Sequence, residues 1–399
     1  SWLCRVITAN LATMKSTTPT LLSYAFRPFF LLNGLFSILA ISLWVMTLHG
    51  SVQLAITPLW HSHEMLIGFA MAAVAGFSLT AVANWTGRPA VHGTPLAVLV
   101  LSWLLGRLAM LLYTWLPADL VFFLDMLFPV LLCILLGREI IGGRSQRNYP
   151  LVGIMFVVVV LNILYHAGIK QWLPGAERLA IYLLIHTILV LVAIVAGRIT
   201  PAFTGNWLRQ QGQVDLPVNS DQVTRVALTL TVFVGLAASF FPTHVATAYL
   251  AFAAALVHGF RLSRWKAFST LSNPLLFVLH AAYAWIPIGY FLLGCSIFGW
   301  VFSSTAALHA LTMGAIGGIV LAVATRVALG HTGRPLQISR AVVAAYWILL
   351  LAILIRVLGP LTGANYLLIV DLSAIGWIVA FAIFTWVYWP ILSRPKPGQ

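Results

Sequence analysis

HALTMGAIGGIVLAVATRVALGHTGRP, residues 309–335, opens on a histidine, runs apolar for long enough to cross a bilayer, and ends with Arg326, His331 and Arg334. Lipid offers the backbone no hydrogen-bond partners, so a run of about 20 apolar residues has one stable form there, a helix bonded within itself. The chain holds a second copy of the pattern, HEMLIGFAMAAVAGFSLTAVANWTGRP at 63–89. In both copies the histidine stands 23 residues before the threonine of a Thr-Gly-Arg-Pro turn, and Gly68 matches Gly314. Two membrane helices that carry a histidine at one depth would hold a metal or a haem between them.

Composition generalises the first observation. The 399 residues are 61% hydrophobic and only 8% charged, far outside the range of soluble globular chains. The alternation of a membrane barrel is absent, which leaves a bundle of helices whose surroundings are the lipid bilayer. The formal net charge is +14, but its 22 Lys and Arg are scattered over short connections, so no nucleic-acid surface is expected. Cys4, Cys133 and Cys295 lie far apart without a CxxC pair, so neither a disulfide framework nor a zinc ribbon is indicated. No cleavage-site pattern precedes the first apolar run, so that run is expected to direct insertion.

Windows of about 20 residues predict twelve spans, at 29–48, 60–82, 95–116, 119–137, 150–169, 177–198, 223–241, 243–260, 274–293, 304–329, 338–357 and 366–389. Pro58, Pro95, Pro150 and Pro274 stand where a helix start tolerates a missing N–H. With twelve spans, 18 Lys and Arg fall on the side of the termini and three on the other (Lys170, Arg178 and Arg356), while Arg107 stays inside a span. The positive-inside rule therefore puts both termini in the cytoplasm. The expected organisation is a cytoplasmic segment at 1–28, a transmembrane domain at 29–393 with a polar cytoplasmic linker near 199–222, and a cytoplasmic tail at 394–399. His186 lies 123 residues after His63 and 123 before His309, a register that suggests three four-helix units with the second, sixth and tenth spans equivalent.

Depth sorts the histidines. His49, His61, His63, His166, His244 and His309 fall toward the outer side, and His92, His258, His280 and His331 toward the inner. The densest constellation is Trp60-His61-Ser62-His63-Glu64-Met65, after Thr57 as N-cap and Pro58 as the first helical residue. About 200° of helix separate His61 from His63, so each points to its own neighbours and its own site. Imidazole, carboxylate and thioether side by side suit copper, and Glu64 suits a proton relay or support for a ligand. Arg107 and Asp125 are expected to pair across the turn at Pro117, and Arg356 with Asp371 at a later hairpin. The glycines at 314, 317 and 318 read as close-packing positions rather than a phosphate loop.

FRPFF at 26–30, WHSHEM at 60–65, NWTGRP at 84–89, GRITPAFT at 197–204, PLLFVLHAAYAW at 274–285 and the stretch at 309–335 together resemble the NnrS family. The resemblance implies a bacterial inner-membrane protein that binds haem b and copper and takes part in the response to nitric oxide, in denitrification or nitrosative stress. Residues carried over by motif are His61, His63, Glu64, His280, His309, His331 and Arg334, with a looser match at His166. A more distant likeness, in architecture only, is to the haem-copper oxidases and nitric oxide reductases, where a haem sits between helices 2 and 10.

The expectation is an all-α bundle in which His63 and His309 ligate haem, with His280, His331 and Arg334 also cofactor-binding. Copper falls to His61, His166 and their neighbours, and Glu64 is the catalytic acid or base. Nitric oxide would be turned over like the substrate of an oxidoreductase, with electrons from an unidentified donor. The alternatives are a protein that binds nitric oxide, haem or metal without turnover, and a secondary transporter.

Overall fold

The computed structural model describes residues 19–396. Residues 1–18 of the expected N-terminal segment, with Arg5 and Lys15, and residues 397–399 of the expected tail lie outside the described residues. Among the described residues there is no strand, and twelve helices are long and apolar enough to cross a membrane. They are α1 (Phe26–Leu48), α2 (Pro58–Thr86), α3 (Thr94–Leu111), α4 (Ala118–Gly142), α5 (Gln146–Ile169), α6 (Ala176–Gln210), α7 (Asp221–Phe240), α8 (Val245–Ser263), α9 (Pro274–Ile297), α10 (Ser304–His331), α11 (Arg340–Thr362) and α12 (Tyr366–Ser393).

The helix starts follow local chemistry. The Thr57 side chain accepts from the Trp60 amide with Pro58 next in line, and Ser220, Ser303 and Ser339 cap α7, α10 and α11 in the same way. All four prolines singled out in the sequence occupy a first helical turn. One expected boundary is corrected. α6 continues unbroken through Pro201 to Gln210, so the linker expected near 199–222 shrinks to a connection at 211–220. Hydropathy falls where a helix leaves lipid, but the backbone ladder has no reason to stop there.

The most hydrophobic windows of α2 and α10 are 78% buried, against 28% for α7 and 33% for α8, so α2 and α10 form the interior of the bundle. The outer helices turn large apolar groups outward, among them Phe156, Leu256 and Trp386. A lipid contact surface explains that exposure. Arg27 of α1 donates to the carbonyls of Leu392 and Arg394 at 2.8 Å each, which joins the first helix to the last and puts both described chain ends on one face.

Both central helices carry a stretch of wide, π-helical turns, Glu64–Ala70 in α2 and Ala310–Gly317 in α10. Each begins one residue after the histidine that led the sequence pattern. Such turns commonly mark functional positions, because an inserted residue changes the direction in which the following side chains point. The glycines around them sit against large rings: a Cβ would meet Phe36 at Gly68, Trp285 at Gly314 and Trp377 at Gly317. Close packing is the role of Gly314 and Gly317, as the sequence indicated, and Gly68 shares it.

Candidate functional site

Two constellations lie in the half of the bundle away from the chain ends, on opposite sides of α2. The first is a cavity of about 250 Å³ walled by α1, α2, α6, α10, α11 and α12. His61, Met65, His309, Met313, Arg356 and Trp377 are among its lining residues, and no carboxylate is. The His309 ring bonds through Nδ1 to the Thr305 carbonyl at 2.8 Å, one turn back on its own helix. A carbonyl only accepts, so Nδ1 carries the proton and Nε2 keeps a free lone pair. His61 stacks on Trp44 with ring centroids 4.9 Å apart, and its Nδ1 is buried with no hydrogen-bond partner. Arg356 donates to the Tyr366 hydroxyl at 2.8 Å.

The second constellation is a closed polar cluster between α2, α3, α4 and α5. His63, Glu64 and Asp125 are each 0% exposed, so every charge here must find its partner within the protein. Arg107 bridges the carboxylates of Glu64 and Asp125. His63 meets Glu64 Oε1 through Nδ1 at 2.9 Å, and through Nε2 meets Asn162 Oδ1 at 2.9 Å and Asp125 Oδ2 at 3.3 Å. His166 Nε2 approaches the same Asp125 oxygen at 2.8 Å, and the Asn162 amide donates to it at 2.8 Å. Tyr165 stacks on His63 with centroids 4.4 Å apart. A cavity of about 60 Å³ bounded by Trp60, Tyr113, His166 and Lys170 leads toward the bundle's far end, where Lys170 pairs with exposed Asp119.

Ligand atoms of His63, Asp125 and His166 all lie within 4.8 Å of one another. Both imidazoles direct Nε2 at one carboxylate oxygen, and Glu64 holds the opposite nitrogen of His63. Carboxylate behind histidine is the support that metal-ligating imidazoles usually have, since it fixes the ring and raises its basicity. The donor set therefore fits a divalent ion of borderline softness, copper included. The cavity donor set fits a different group. Two imidazoles from separate helices, apolar walls and a buried arginine suit a haem with carboxylate side groups, and two thioethers add soft donors.

The sequence expectations are thus partly rearranged. His63 and His309 are not brought together: each occupies its own site, and the residue that shares a cavity with His309 is His61. His63 instead meets His166. Arg107 and Asp125 pair as expected. Arg356 does not pair with Asp371, which binds His49 Nε2 at 2.9 Å and leaves Arg356 to the cavity. Asn162 and Tyr165 were missed, because an amide and a phenol in an apolar run carry no spacing signal; the buried amide in NILYH was the only clue.

Three expected cofactor residues lie elsewhere. His280 Nε2 bonds Thr204 at 2.9 Å, and His331 packs on Phe26 near the chain-end face. His331 and Arg334 stand 22 and 25 residues beyond His309. The first of these separations is roughly 30 Å of helix. His186, third in the register, faces α7 and α9, with Nδ1 3.2 Å from the Tyr290 hydroxyl and its ring against Gly235. Nearby, His258 bonds Thr231 and Tyr283, and Arg261 donates to Tyr283.

A family model described as NnrS protein matches residues 20–396, nearly the whole chain. A search of curated proteins finds no match.

Proposed function

The chain belongs to the NnrS protein family, and from that premise and the two constellations we propose that it is a haem- and copper-binding membrane protein acting on nitric oxide. The observation that carries the reading is the separation of donors by α2. His61 and His309 serve one cavity, and His63, Asp125 and His166 converge on the other side. His61 or His309 would hold haem b through its imidazole, and Arg356, which lines the same cavity, would offset the charge of its carboxylates. Copper would lie among His63, His166 and Asp125.

Bound there, the haem would supply one-electron redox chemistry and an iron at which nitric oxide binds. The protein's own contribution is orientation and charge. The Thr305 carbonyl fixes the His309 tautomer. Arg107 and Asn162 hold Asp125 in one rotamer, and Glu64 holds His63. Glu64 Oε2 is buried without a partner, so this carboxylate has one oxygen free to take or give a proton. The cytoplasmic membrane of a bacterium, with both termini inside, is the setting that the charge asymmetry supports.

The test is a reduced-minus-oxidised spectrum with metal analysis on anaerobically purified protein. His61→Ala and His309→Ala should each abolish or shift the Soret band. His63→Ala and His166→Ala should keep the band and lose copper. An unchanged band in both of the first pair sinks the haem assignment. An electrode that follows nitric oxide in the presence of a reductant separates turnover from binding.

A further inference from the structure

Below the large cavity, toward the chain-end face, lies a second hollow of about 60 Å³, lined by residues of α1, α2, α4, α5, α6 and α10. Ile316 lines both, so one side chain stands between them. The walls of the second hollow are aliphatic and aromatic, among them Phe30, Ala73, Ile188 and Ile319, apart from the hydroxyl of Ser78. That hydroxyl is buried and has no hydrogen-bond partner.

Size and polarity together select an occupant. A single water needs about 10–15 Å³ of such space and two to four polar partners. The volume is ample for water, but one hydroxyl is too few partners, so water is held poorly. A haem or the full length of a lipid chain is too large for about 60 Å³, and an ion would find no charge here. An apolar molecule of two or three atoms satisfies both limits, and lipid delivers such molecules because they partition into it.

We propose that this hollow is a holding site for a small apolar gas of the dioxygen or nitric oxide class, on a passage that enters the large cavity past Ile316. Holding a gas needs no metal, so the hollow is testable apart from the function proposed above. Only the passage into the large cavity rests on that reading.

Xenon is the probe, because it is apolar, fills dry cavities and is visible in diffraction. Crystals of the full chain under xenon pressure should show an atom between Ala73, Ile188 and Ile319, and Ala73→Leu should remove it while xenon elsewhere stays. Should Ala73→Leu fail to fold, Ile319→Phe fills the same space from the opposite wall. An ordered water on Ser78, or no xenon in the native protein, overturns the proposal. For the passage, carbon monoxide rebinding after a light flash should slow severalfold in Ile316→Trp and quicken in Ile316→Ala. Equal rates in both, with xenon still bound, would leave the hollow a dead end and overturn the passage alone.

Discussion

His61 and His63, two positions apart on α2, face different compartments: His61 lines the large cavity with His309, and His63 is locked between Glu64, Asn162 and Asp125. One helix therefore divides the two sites, and a change on one face of it should leave the other largely intact. The predictions below use that division.

Asp125→Asn removes the charge that Arg107, His63 and His166 share. Breaking a buried ion pair on one side costs up to about 3–5 kcal/mol, and here Glu64 alone is left to balance Arg107 and His63 with no water to help. Thermal unfolding in detergent should report that loss. The double variant Asp125→Leu with Arg107→Leu should recover part of it, and a double variant no better than the single one would count against charge balance as the cause.

Glu64→Gln keeps an acceptor oxygen for His63 Nδ1 but removes the negative charge behind the ring. Losing such a supporting carboxylate typically costs about 10–100-fold in metal affinity. Titration with a competing chelator should show weaker copper binding in this variant, while the Soret band stays in place. Unchanged copper affinity would mean that Glu64 holds Arg107 and does nothing for the metal.

Arg356 is a buried cation in a cavity whose walls include no acid. A positive charge beside a redox centre favours the reduced state, so Arg356→Leu should lower the haem midpoint potential, by tens of millivolts. Potentiometric titration checks this. A potential that does not move would place the haem away from the arginine.

Gly314→Ala puts a methyl group into the Trp285 side chain. Trp285 is itself buried, so α10 must shift, and overpacking of this kind costs about 1–3 kcal/mol. The melting temperature should fall. Because α10 also carries His309, the Soret band should move with it, whereas Gly330→Ala, which meets nothing within 4 Å, should leave the band in place and hold or raise the melting temperature.

The helical bundle was legible because lipid leaves so few options. Apolar length alone predicts twelve spans, and the caps at Thr57 and Pro58 lie where the sequence put them. The pairing of histidines was not legible, although the divergence of His61 from His63 followed from helical pitch. The matching spacing of His63, His186 and His309 invites the idea that equal positions meet. In the fold each turns to a different group of helices: His63 to α3–α5, His186 to α7 and α9, and His309 to the cavity bounded by α11, α12 and α1. Equal spacing in the sequence therefore does not bring side chains together, and the histidine that shares the cavity with His309 is His61, off that register. Neither Asn162 nor the stacking of Tyr165 follows from spacing, because both depend on the angle at which α5 meets α2.

The large cavity takes its walls from both the first and the last helices, and the Arg27 contacts to Leu392 and Arg394 close that seam. No nascent fragment still lacking its final helix contains a finished pocket. A prosthetic group must therefore either meet the half-built donors before α12 closes over it or pass between neighbouring helices of the shut bundle.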